Sequence, residues 1–202
     1  MLASLVIPTR NRSATLARTL TALRHQRERD FEVVIADDGS DDDTRDVARR
    51  FEAELALRYL RRAHVGTAGA RNAAMRVARG DVLIMCDDDR IADPDFVGDH
   101  VAAHAGAEPC VAGGRQRGIA AVWSRDAAYT ATDLASLALR HPALVPRFAE
   151  PTAELVTEAM LRDDLAGTLA AFELPEPWWE GHATQVLATW GPELAGDRKS
   201  VV

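Results

Sequence analysis

The sequence predicts an α/β fold built on a mostly parallel sheet flanked by helices. In the first 116 residues, short apolar runs typical of buried strands alternate with longer segments whose apolar residues recur at helical spacing. The connections are short, and polar clusters follow several of the apolar runs. Strands that alternate with helices in this way pair in parallel through right-handed crossovers. Beyond residue 118 the alternation stops, and we expect an irregular helical segment.

The predicted elements follow one another in strict alternation. The first strand covers residues 2–7, a nearly continuous apolar run that Pro8 ends. The first helix runs from Ser13 to about Gln26, because leucines recur there at helical spacing. The further elements are a strand over 31–36, a helix capped within 41–44, a strand over 57–60, an alanine-rich helix through 77, a strand over 82–86, a helix opened by Asp93-Pro94 and a strand over 110–112.

The rest of the chain has a different character. Residues 127–173 are rich in alanine and leucine and predict two or three helices interrupted by prolines, and residues 183–190 predict one short helix. We therefore expect an α/β core over residues 1–118 and a helical accessory segment of the same domain over 119–196. Residues 197–202 match the first codons of a common sequencing adapter, so we expect a non-native tail on a truncated chain.

Composition narrows the class of protein. The chain has 202 residues, of which 47% are hydrophobic, and this predicts a globular protein. Two cysteines make no disulfide framework, and neither a bilayer-length apolar run nor a signal peptide is apparent, so we expect a cytoplasmic protein. With a net charge of −7 and scattered basic residues, nucleic acid is not an expected partner. An acidic protein still binds anions where a metal supplies positive charge.

Three consecutive aspartates, Asp87, Asp88 and Asp89, directly follow the apolar run of residues 82–86. Clustered carboxylates are unfavourable at the end of a buried strand unless a cation or another strong partner lies there. That end of a parallel strand is also where ligands bind in open α/β sheets. A divalent metal held by one or two carboxylates and by ligand phosphates fits the pattern. A solvated acidic loop is the alternative, and it is favoured if the triplet is considered alone.

The neighbouring polar clusters favour the metal. Residues 8–12, 37–40 and 87–90 each follow a predicted strand, and parallel pairing places all three at one edge of the sheet. The loop over residues 66–72 leaves its strand at that edge too, with Arg71 near a helix start. Arginine forks onto phosphate or ring carbonyl groups, and helix N-termini favour anions. Together these features predict a site for a nucleotide diphosphate with its metal.

Four segments carry a resemblance to a known family. Residues 4–12 (SLVIPTRNR), 33–40 (VVIADDGS), 66–72 (GTAGARN) and 81–89 (DVLIMCDDD) resemble, in this order, the motifs of family-2 glycosyltransferases of the GT-A fold. The resemblance implies a UDP- or GDP-linked sugar donor, Mg²⁺ or Mn²⁺, and transfer to an acceptor hydroxyl with inversion. It also implies a glycan or lipid-linked acceptor, and an association of the full-length protein with the inner face of the membrane.

The resemblance assigns roles to particular residues. Asp87 and Asp89 match the outer members of the DxD motif, a ribose contact and a metal ligand respectively, and both are candidate metal ligands. Asp88 holds the middle position, which leaves the roles within the triplet open. The other residues that match donor-contacting positions are Pro8, Thr9 and Asn11 in the first loop, Asp37 or Asp38 at the base, and Arg71 beside it.

The general base that an inverting enzyme needs is not identified. Four late glutamates, Glu173, Glu176, Glu180 and Glu193, lack the expected surroundings, so we expect the chain to stop before the acceptor half. A non-catalytic nucleotide-sugar-binding module is therefore an alternative. A sugar nucleotidyltransferase is a third hypothesis, although the first loop lacks the glycine-rich sequence of such enzymes.

The histidines give weaker signals. His100 and His104 have zinc-like spacing on a predicted helix, but no third ligand is evident and a packing or surface role is favoured. His64 has no identifiable partner in the sequence. We therefore assign no histidine to the predicted site.

Overall fold

The computed structural model describes residues 1–106, 110–114, 156–172 and 200–201. The chain divides into two compact units, one formed by Met1–Arg115 with Gly181–Val202 and the other by Gln116–Glu180. The sequence-based boundaries at residues 118 and 196 and the non-native tail stay predictions. The prolines expected to interrupt the later helices, the four late glutamates and the short helix predicted over residues 183–190 all lie outside the described residues.

The first unit contains a parallel sheet, as predicted. Its strands are β1 (Ala3–Thr9), β2 (Phe31–Asp37), β3 (Leu57–Arg61), β4 (Val82–Met85) and β5 (Ser200–Val201), in the spatial order β3-β2-β1-β4-β5. β1 lies at the centre and every residue in it is buried. The two-residue β5 was not predicted, because so short a segment carries no hydrophobic period.

Helices cover both faces of the sheet. They are α1 (Ser13–Leu23), α2 (Thr44–Phe51), α3 (Thr67–Val77) and α4 (Phe96–Ala103). The larger core packs leucines of α1, Phe51 of α2 and Val97 of α4 against one face of the sheet, and the alanines of α3 pack against the other face. Small side chains on α3 let that helix lie close to β1 and β2. The α/β prediction is therefore confirmed.

The prediction that Pro8 ends the first strand is wrong, because β1 continues to Thr9. Val6 accepts a hydrogen bond from Cys86 on the β4 side, and Thr9 accepts one from Asp38 on the β2 side. By this alternation the backbone of Pro8 faces β4, where strand pairing ends at Val6 and Met85. A proline at that position costs the sheet no ladder hydrogen bond.

Two further predictions on the first unit differ from the structure. Residues 110–112 form no strand, and Val111 is exposed, because three apolar residues outside the sheet bury too little surface to hold one. The fourth helix begins at Phe96, not at Asp93-Pro94. Those two residues form a turn instead, in which the Asp93 carbonyl accepts the amide of Phe96 at 3.2 Å.

The described part of the second unit contains two short helices, α5 (Glu158–Asp163) and α6 (Leu165–Phe172). Thr157 caps α5 and accepts the amide of Met160 at 3.2 Å, while Leu161 and Leu165 are buried. Both helices fall in or at the end of the alanine- and leucine-rich stretch, where helices were predicted.

The end of the sheet at which the strands begin, here called the lower edge, carries a buried polar network. The Glu32 carboxylate accepts hydrogen bonds from the Ser4 hydroxyl at 2.8 Å and the Arg79 amide at 2.6 Å. Arg58 lies 3.3 Å from it, and the Gly80 amide donates to Ser4. These bonds tie the starts of β1, β2, β3 and β4 together, as buried polar groups require partners.

Candidate functional site

The candidate site lies at the opposite end of the sheet, here called the upper edge, where the strands end. The chain passes from β1 outward to β2 and β3, and then returns through α3 to β4 on the other side of β1. Such a reversal opens a crevice at the carboxyl ends of the strands, where open α/β sheets bind ligands. A cavity of about 450 Å³ lies there, lined by Pro8, Thr9, Arg10, Arg12, Asp38, His64, Gly66, Thr67, Asp87, Asp88 and Asp89.

Asp88 is the buried member of the aspartate triplet. Its carboxylate accepts hydrogen bonds from the Thr9 hydroxyl at 2.7 Å and from Arg12 at 2.8 Å, and its carbonyl accepts the Thr19 hydroxyl at 2.9 Å. Burial raises its pKa, and the contacts with Thr9 and Arg12 oppose that rise. Asp88 therefore joins the end of β1 to the end of β4 at the wall of the cavity.

Asp87 and Asp89 are the more exposed members, with side chains 38% and 22% accessible. Asp87 pairs with Arg71 and lies 3.5 Å from Arg90. Asp89 lies 3.3 Å from Arg12 and 3.6 Å from Arg90. Three guanidinium groups thus balance three carboxylates, and the two outer carboxylates are accessible from the cavity.

The donor set suits a hard divalent cation only in part. Carboxylate oxygens are the ligands that Mg²⁺ and Mn²⁺ prefer. Within the described ranges, no group of three or more His, Cys, Asp or Glu residues is arranged to hold a metal ion. Asp87 and Asp89 therefore fit a site that uses one or two carboxylates and completes its coordination with ligand phosphates, as Mg²⁺ sites usually do.

Asp38 forms the other acidic wall of the cavity and is only 4% exposed. It accepts hydrogen bonds from the amides of Val65 at 2.7 Å and Gly66 at 3.0 Å, and from His64 Nδ1 at 2.6 Å. Burial tends to raise the pKa of Asp38, but these hydrogen bonds outweigh burial and hold the pKa below its ordinary value. Asp38 thereby fixes the loop between β3 and α3.

His64 extends this network to the cavity wall. Its Nε2 lies 2.9 Å from Arg10 Nη1. Since Arg10 can only donate, Nε2 must accept and the proton must lie on Nδ1, which donates to Asp38. Neither partner could be identified from the sequence, because Arg10 and Asp38 lie far from His64 along the chain.

A match to a protein-family model identifies the family of this chain. Residues 4–159 match the profile of Glycosyl transferase family 2, which is most of the chain. The chain belongs to this family. The resemblance inferred from the four sequence segments is thereby confirmed, and the third hypothesis, a sugar nucleotidyltransferase, gains no support.

Curated relatives of this family-2 chain include enzymes with named activities. Validoxylamine A glucosyltransferase of Streptomyces hygroscopicus subsp. jinggangensis is 46% identical over 112 residues, which cover 54% of this chain and 26% of that protein. Chondroitin synthase of Escherichia coli is 37% identical over 97 residues, which cover 46% of this chain and 14% of that protein. The chain thus spans about a quarter or less of the length of these relatives.

Solved structures confirm the GT-A fold. TarS of S. aureus in complex with UDP-GlcNAc aligns with a TM-score of 0.50 and 25% identity over 63% of this chain and 39% of that one. The mannosyltransferase PcManGT of Pyrobaculum calidifontis, in complex with GDP-Man and Mn²⁺, aligns with a TM-score of 0.50 and 28% identity over 53% of this chain and 33% of that one.

Three of the sequence-predicted donor contacts do not line the cavity of this family-2 chain. Asn11 has a φ of 51°. Its side-chain Oδ1 accepts a hydrogen bond from the backbone amide of Asp41 at 2.8 Å, and its backbone amide donates to the Ser40 hydroxyl at 2.9 Å. Asp37 is 1% exposed and accepts from the Ser40 amide and the Tyr59 hydroxyl. Burial, and then the bond to Asp37, raises the pKa of Tyr59. Both residues shape the loops behind the wall.

Arg71, the third of these, lies behind Asp87. Its Nε is buried, with no hydrogen-bond partner in the part of the chain that the structure describes. An arginine with an unused donor next to the cavity is placed to gain a bond if its pairing with Asp87 is exchanged for an oxygen of a ligand. The predicted donor contacts that do line the cavity are Pro8, Thr9, Asp38, Asp87 and Asp88, together with the predicted metal ligand Asp89.

The structure also places residues that the sequence analysis did not assign to the site. Arg10, Arg12 and His64 line the cavity. The sequence offered one signal for the arginines, since both belong to the polar cluster that follows the first strand. The residues that Arg10, Arg12 and His64 contact, however, lie far away along the chain, so these contacts cannot be identified before the fold is known.

The remaining candidates have packing roles in the described residues. His100 and His104 are 5% and 6% exposed, and Phe96 packs edge-on against His100 at 4.8 Å between ring centroids. His104 Nδ1 bonds the His100 carbonyl at 2.7 Å. Burial raises the pKa of Cys86 to about 12, so its thiol stays protonated. Among the described helices, none has the length and apolar character needed to cross a bilayer.

Proposed function

We propose that this family-2 chain forms the donor-binding portion of a metal-dependent, inverting glycosyltransferase. In this proposal, a hexose is transferred from a UDP- or GDP-linked donor to an acceptor hydroxyl. The acceptor is a growing glycan or a lipid-linked sugar on the cytoplasmic side, where the full-length protein works at the inner face of the membrane.

The observation that carries the proposal is the position of the aspartate triplet beside the reversal in strand order. Two accessible carboxylates, Asp87 and Asp89, face a cavity of about 450 Å³, a volume ordinary for small-ligand sites. The names of similar proteins support the donor class, because TarS was solved with UDP-GlcNAc and PcManGT with GDP-Man and Mn²⁺.

Individual roles follow from the positions of the side chains. Asp89 is the proposed metal ligand, and Asp87 contacts the ribose or shares the metal. Pro8 and Thr9 pack against the nucleotide from the end of β1, and Asp38 holds the loop that faces the base. Asp88 supports this arrangement through Thr9 and Arg12.

The described site contains donor-binding groups without a free general base. Asp38, Asp87, Asp88 and Asp89 are the carboxylates on the cavity wall, and each already pairs with a cation or accepts hydrogen bonds. When bound, a divalent cation would hold both donor phosphates and stabilise the departing diphosphate as a Lewis acid. Deprotonation of the acceptor is a separate task, and no described residue is placed for it.

Calorimetric titration with UDP-, GDP- and dTDP-sugars, with and without Mn²⁺, tests the proposal. We expect one of these donors to bind in a Mn²⁺-dependent manner. Asp89→Ala should weaken that binding by roughly 100-fold or more, since loss of a direct metal ligand exceeds the 10- to 100-fold cost of losing an outer partner. Asp81→Asn is the control, because Asp81 is exposed at the lower edge of the same strand region.

Metal-independent binding, or binding that Asp89→Ala leaves intact, would contradict the metal assignment. Absence of binding to any donor would contradict the proposed function as a whole. Incubation of the protein with the donor that it binds distinguishes an enzyme from the alternative, a binding module without catalysis. Slow release of free sugar that disappears in Asp89→Ala would rule the alternative out.

A further inference from the structure

Arg12 lies where a cation on the aspartate triplet would also lie. A single nitrogen, Nη1, is 2.8 Å from Asp88 Oδ1 and 3.3 Å from Asp89 Oδ2. The guanidinium therefore bridges the buried carboxylate and the one proposed to bind metal. Arg12 belongs to the loop after β1 and lines the cavity, and its side chain is 43% accessible.

We propose that Arg12 acts as a placeholder cation, which competes with the divalent metal for Asp88 and Asp89 and moves to the donor diphosphate when metal and donor bind together. This inference rests on the proposed function. It adds that Arg12 makes metal binding weak in the absence of the donor and links the two binding events.

Repulsion between the metal and the Arg12 guanidinium drives the exchange of one for the other on Asp89. A divalent ion bound to Asp89 would lie within a few ångströms of the Arg12 guanidinium as it stands. Like charges at this separation repel, more strongly at a protein surface than in bulk water, and the double charge of the metal doubles the repulsion. The metal and Arg12 therefore cannot both use Asp89 without a large loss of affinity, and one of them must move.

Arg12 has a 43% accessible side chain, and its two carboxylate contacts can be replaced when the metal binds. Its contact with Asp89 is a partly exposed ion pair, a type that contributes little to stability, whereas its contact with the buried Asp88 at 2.8 Å needs a replacement charge. After Arg12 leaves, Asp88 keeps the hydrogen bond from Thr9 at 2.7 Å and gains the metal as a nearby positive charge. The guanidinium fork suits phosphate oxygens, so a diphosphate in the cavity offers Arg12 a replacement partner.

Electron paramagnetic resonance of Mn²⁺, with and without saturating UDP, tests the exchange in the full chain. Without nucleotide, Arg12→Gln should bind Mn²⁺ about tenfold more tightly than wild type, a factor that corresponds to about 1.4 kcal/mol of relieved repulsion. The same variant should bind UDP about tenfold more weakly in the presence of Mn²⁺, because a phosphate partner is lost. Arg12→Met should behave alike if the glutamine variant does not fold.

Two controls separate specific from general effects. Arg12→Lys keeps the positive charge, so its Mn²⁺ affinity should stay within about threefold of wild type. Arg49→Gln removes one positive charge from the exposed face of α2, where Arg49 pairs with Asp46, and should change neither affinity. A similar tightening in Arg49→Gln would reduce the effect to net charge and overturn the proposal.

The outcomes also separate this inference from the function on which it rests. If wild type binds Mn²⁺ and donor while the uncharged variants show unchanged or weaker Mn²⁺ affinity, Arg12 is no placeholder and the proposed function stands. If wild type binds neither Mn²⁺ nor any nucleotide-sugar donor, both the inference and the proposed function are wrong.

Discussion

The two edges of the sheet carry carboxylates with different kinds of partners. At the lower edge, Glu32 accepts hydrogen bonds from a backbone amide and from a buried serine. At the upper edge, Asp87 and Asp89 pair with arginine side chains that are 37% to 47% accessible. A backbone donor cannot leave without local unfolding, whereas an arginine side chain can rotate away. The lower carboxylate therefore stabilises the fold, and the upper ones can exchange their partners for a ligand.

The largest expected effect is at the lower edge. Glu32→Ala should lower the free energy of unfolding by about 2 to 5 kcal/mol, because it leaves two hydrogen-bond donors without an acceptor, at about 1 to 3 kcal/mol each. The Ser4 hydroxyl and the Arg79 amide lose their acceptor, and Arg58 keeps only its hydrogen bond to the Val77 carbonyl. Chemical denaturation measures the loss.

Glu28→Ala is the matched control for this prediction. The Glu28 side chain is partly exposed and accepts the neighbouring amides of Arg29 and Asp30, so its removal should cost far less stability than the removal of Glu32. Donor affinity of the folded Glu32→Ala protein should equal that of wild type. A large drop in affinity at full folding would show that the two edges are coupled and that Glu32 does more than stabilise the fold.

A smaller loss is expected from a glycine at the upper edge. In the described residues the backbone adopts positive φ at Asn11, Gly39 and Gly66, all in loops at this edge. Gly66 has φ 81° and ψ 160°, a conformation that is essentially restricted to glycine. No atom lies within 4 Å of an added Cβ, so Gly66→Ala should cost roughly 2 kcal/mol through backbone strain alone.

Gly106→Ala provides the reference for Gly66→Ala. An added Cβ at Gly106 also meets no atom within 4 Å, and this glycine is not among those with positive φ. It should therefore change the free energy of unfolding by less than about 1 kcal/mol in denaturant titrations. Equal losses in the two variants would mean that backbone conformation at the upper edge stores no strain.

Asp38 shows that the upper edge also contains a fixed carboxylate. Asp38→Asn should lower the free energy of unfolding by about 2 kcal/mol at pH 7, because one acceptor oxygen becomes an NH2 donor that faces the amide of either Val65 or Gly66. The pKa of Asp38 is lowered in the folded state, so its contribution is complete above the ordinary aspartate pKa of about 4. That contribution is lost as the pH falls through the lowered folded value.

Denaturation of wild type and Asp38→Asn at pH 7, 5 and 3 tests this sign. The difference between the two proteins should be constant from pH 7 to pH 5 and should shrink as the pH drops below about 4. Asp81→Asn, at an exposed position, is the control for the loss of a single carboxylate. A difference that grows on acidification would contradict the lowered pKa.

The sequence predicted the order of the elements and the edge at which the site lies, because both depend on local patterns. Apolar runs identified β1 to β4, and the aspartates that follow β4 marked the upper edge. The pairs Arg12–Asp88 and His64–Asp38 were not predicted, since their members are 76 and 26 residues apart and meet only through the parallel sheet. The end of β1 was predicted wrongly at Pro8, because whether a proline costs the sheet a hydrogen bond there depends on where β4 ends.

The smallest expected change in stability concerns Arg71. Arg71→Gln removes a partly exposed ion pair with Asp87, and pairs of this kind contribute about 0 to 1 kcal/mol. Donor affinity should fall about tenfold or more, since a guanidinium with an unused Nε beside the cavity is lost. Arg76→Gln, exposed on the same helix, should alter neither quantity.

Denaturation and donor titration of Glu32→Ala and Arg71→Gln, with Arg76→Gln as the control, therefore compare the two edges directly. At the lower edge a substitution should affect stability and leave affinity unchanged, and at Arg71 it should affect affinity and leave stability nearly unchanged. If Arg71→Gln instead destabilised the fold by as much as Glu32→Ala, the arginine would be a fixed part of the structure. Exchange of partners on the outer aspartates would then be excluded as the way in which this edge admits its ligand.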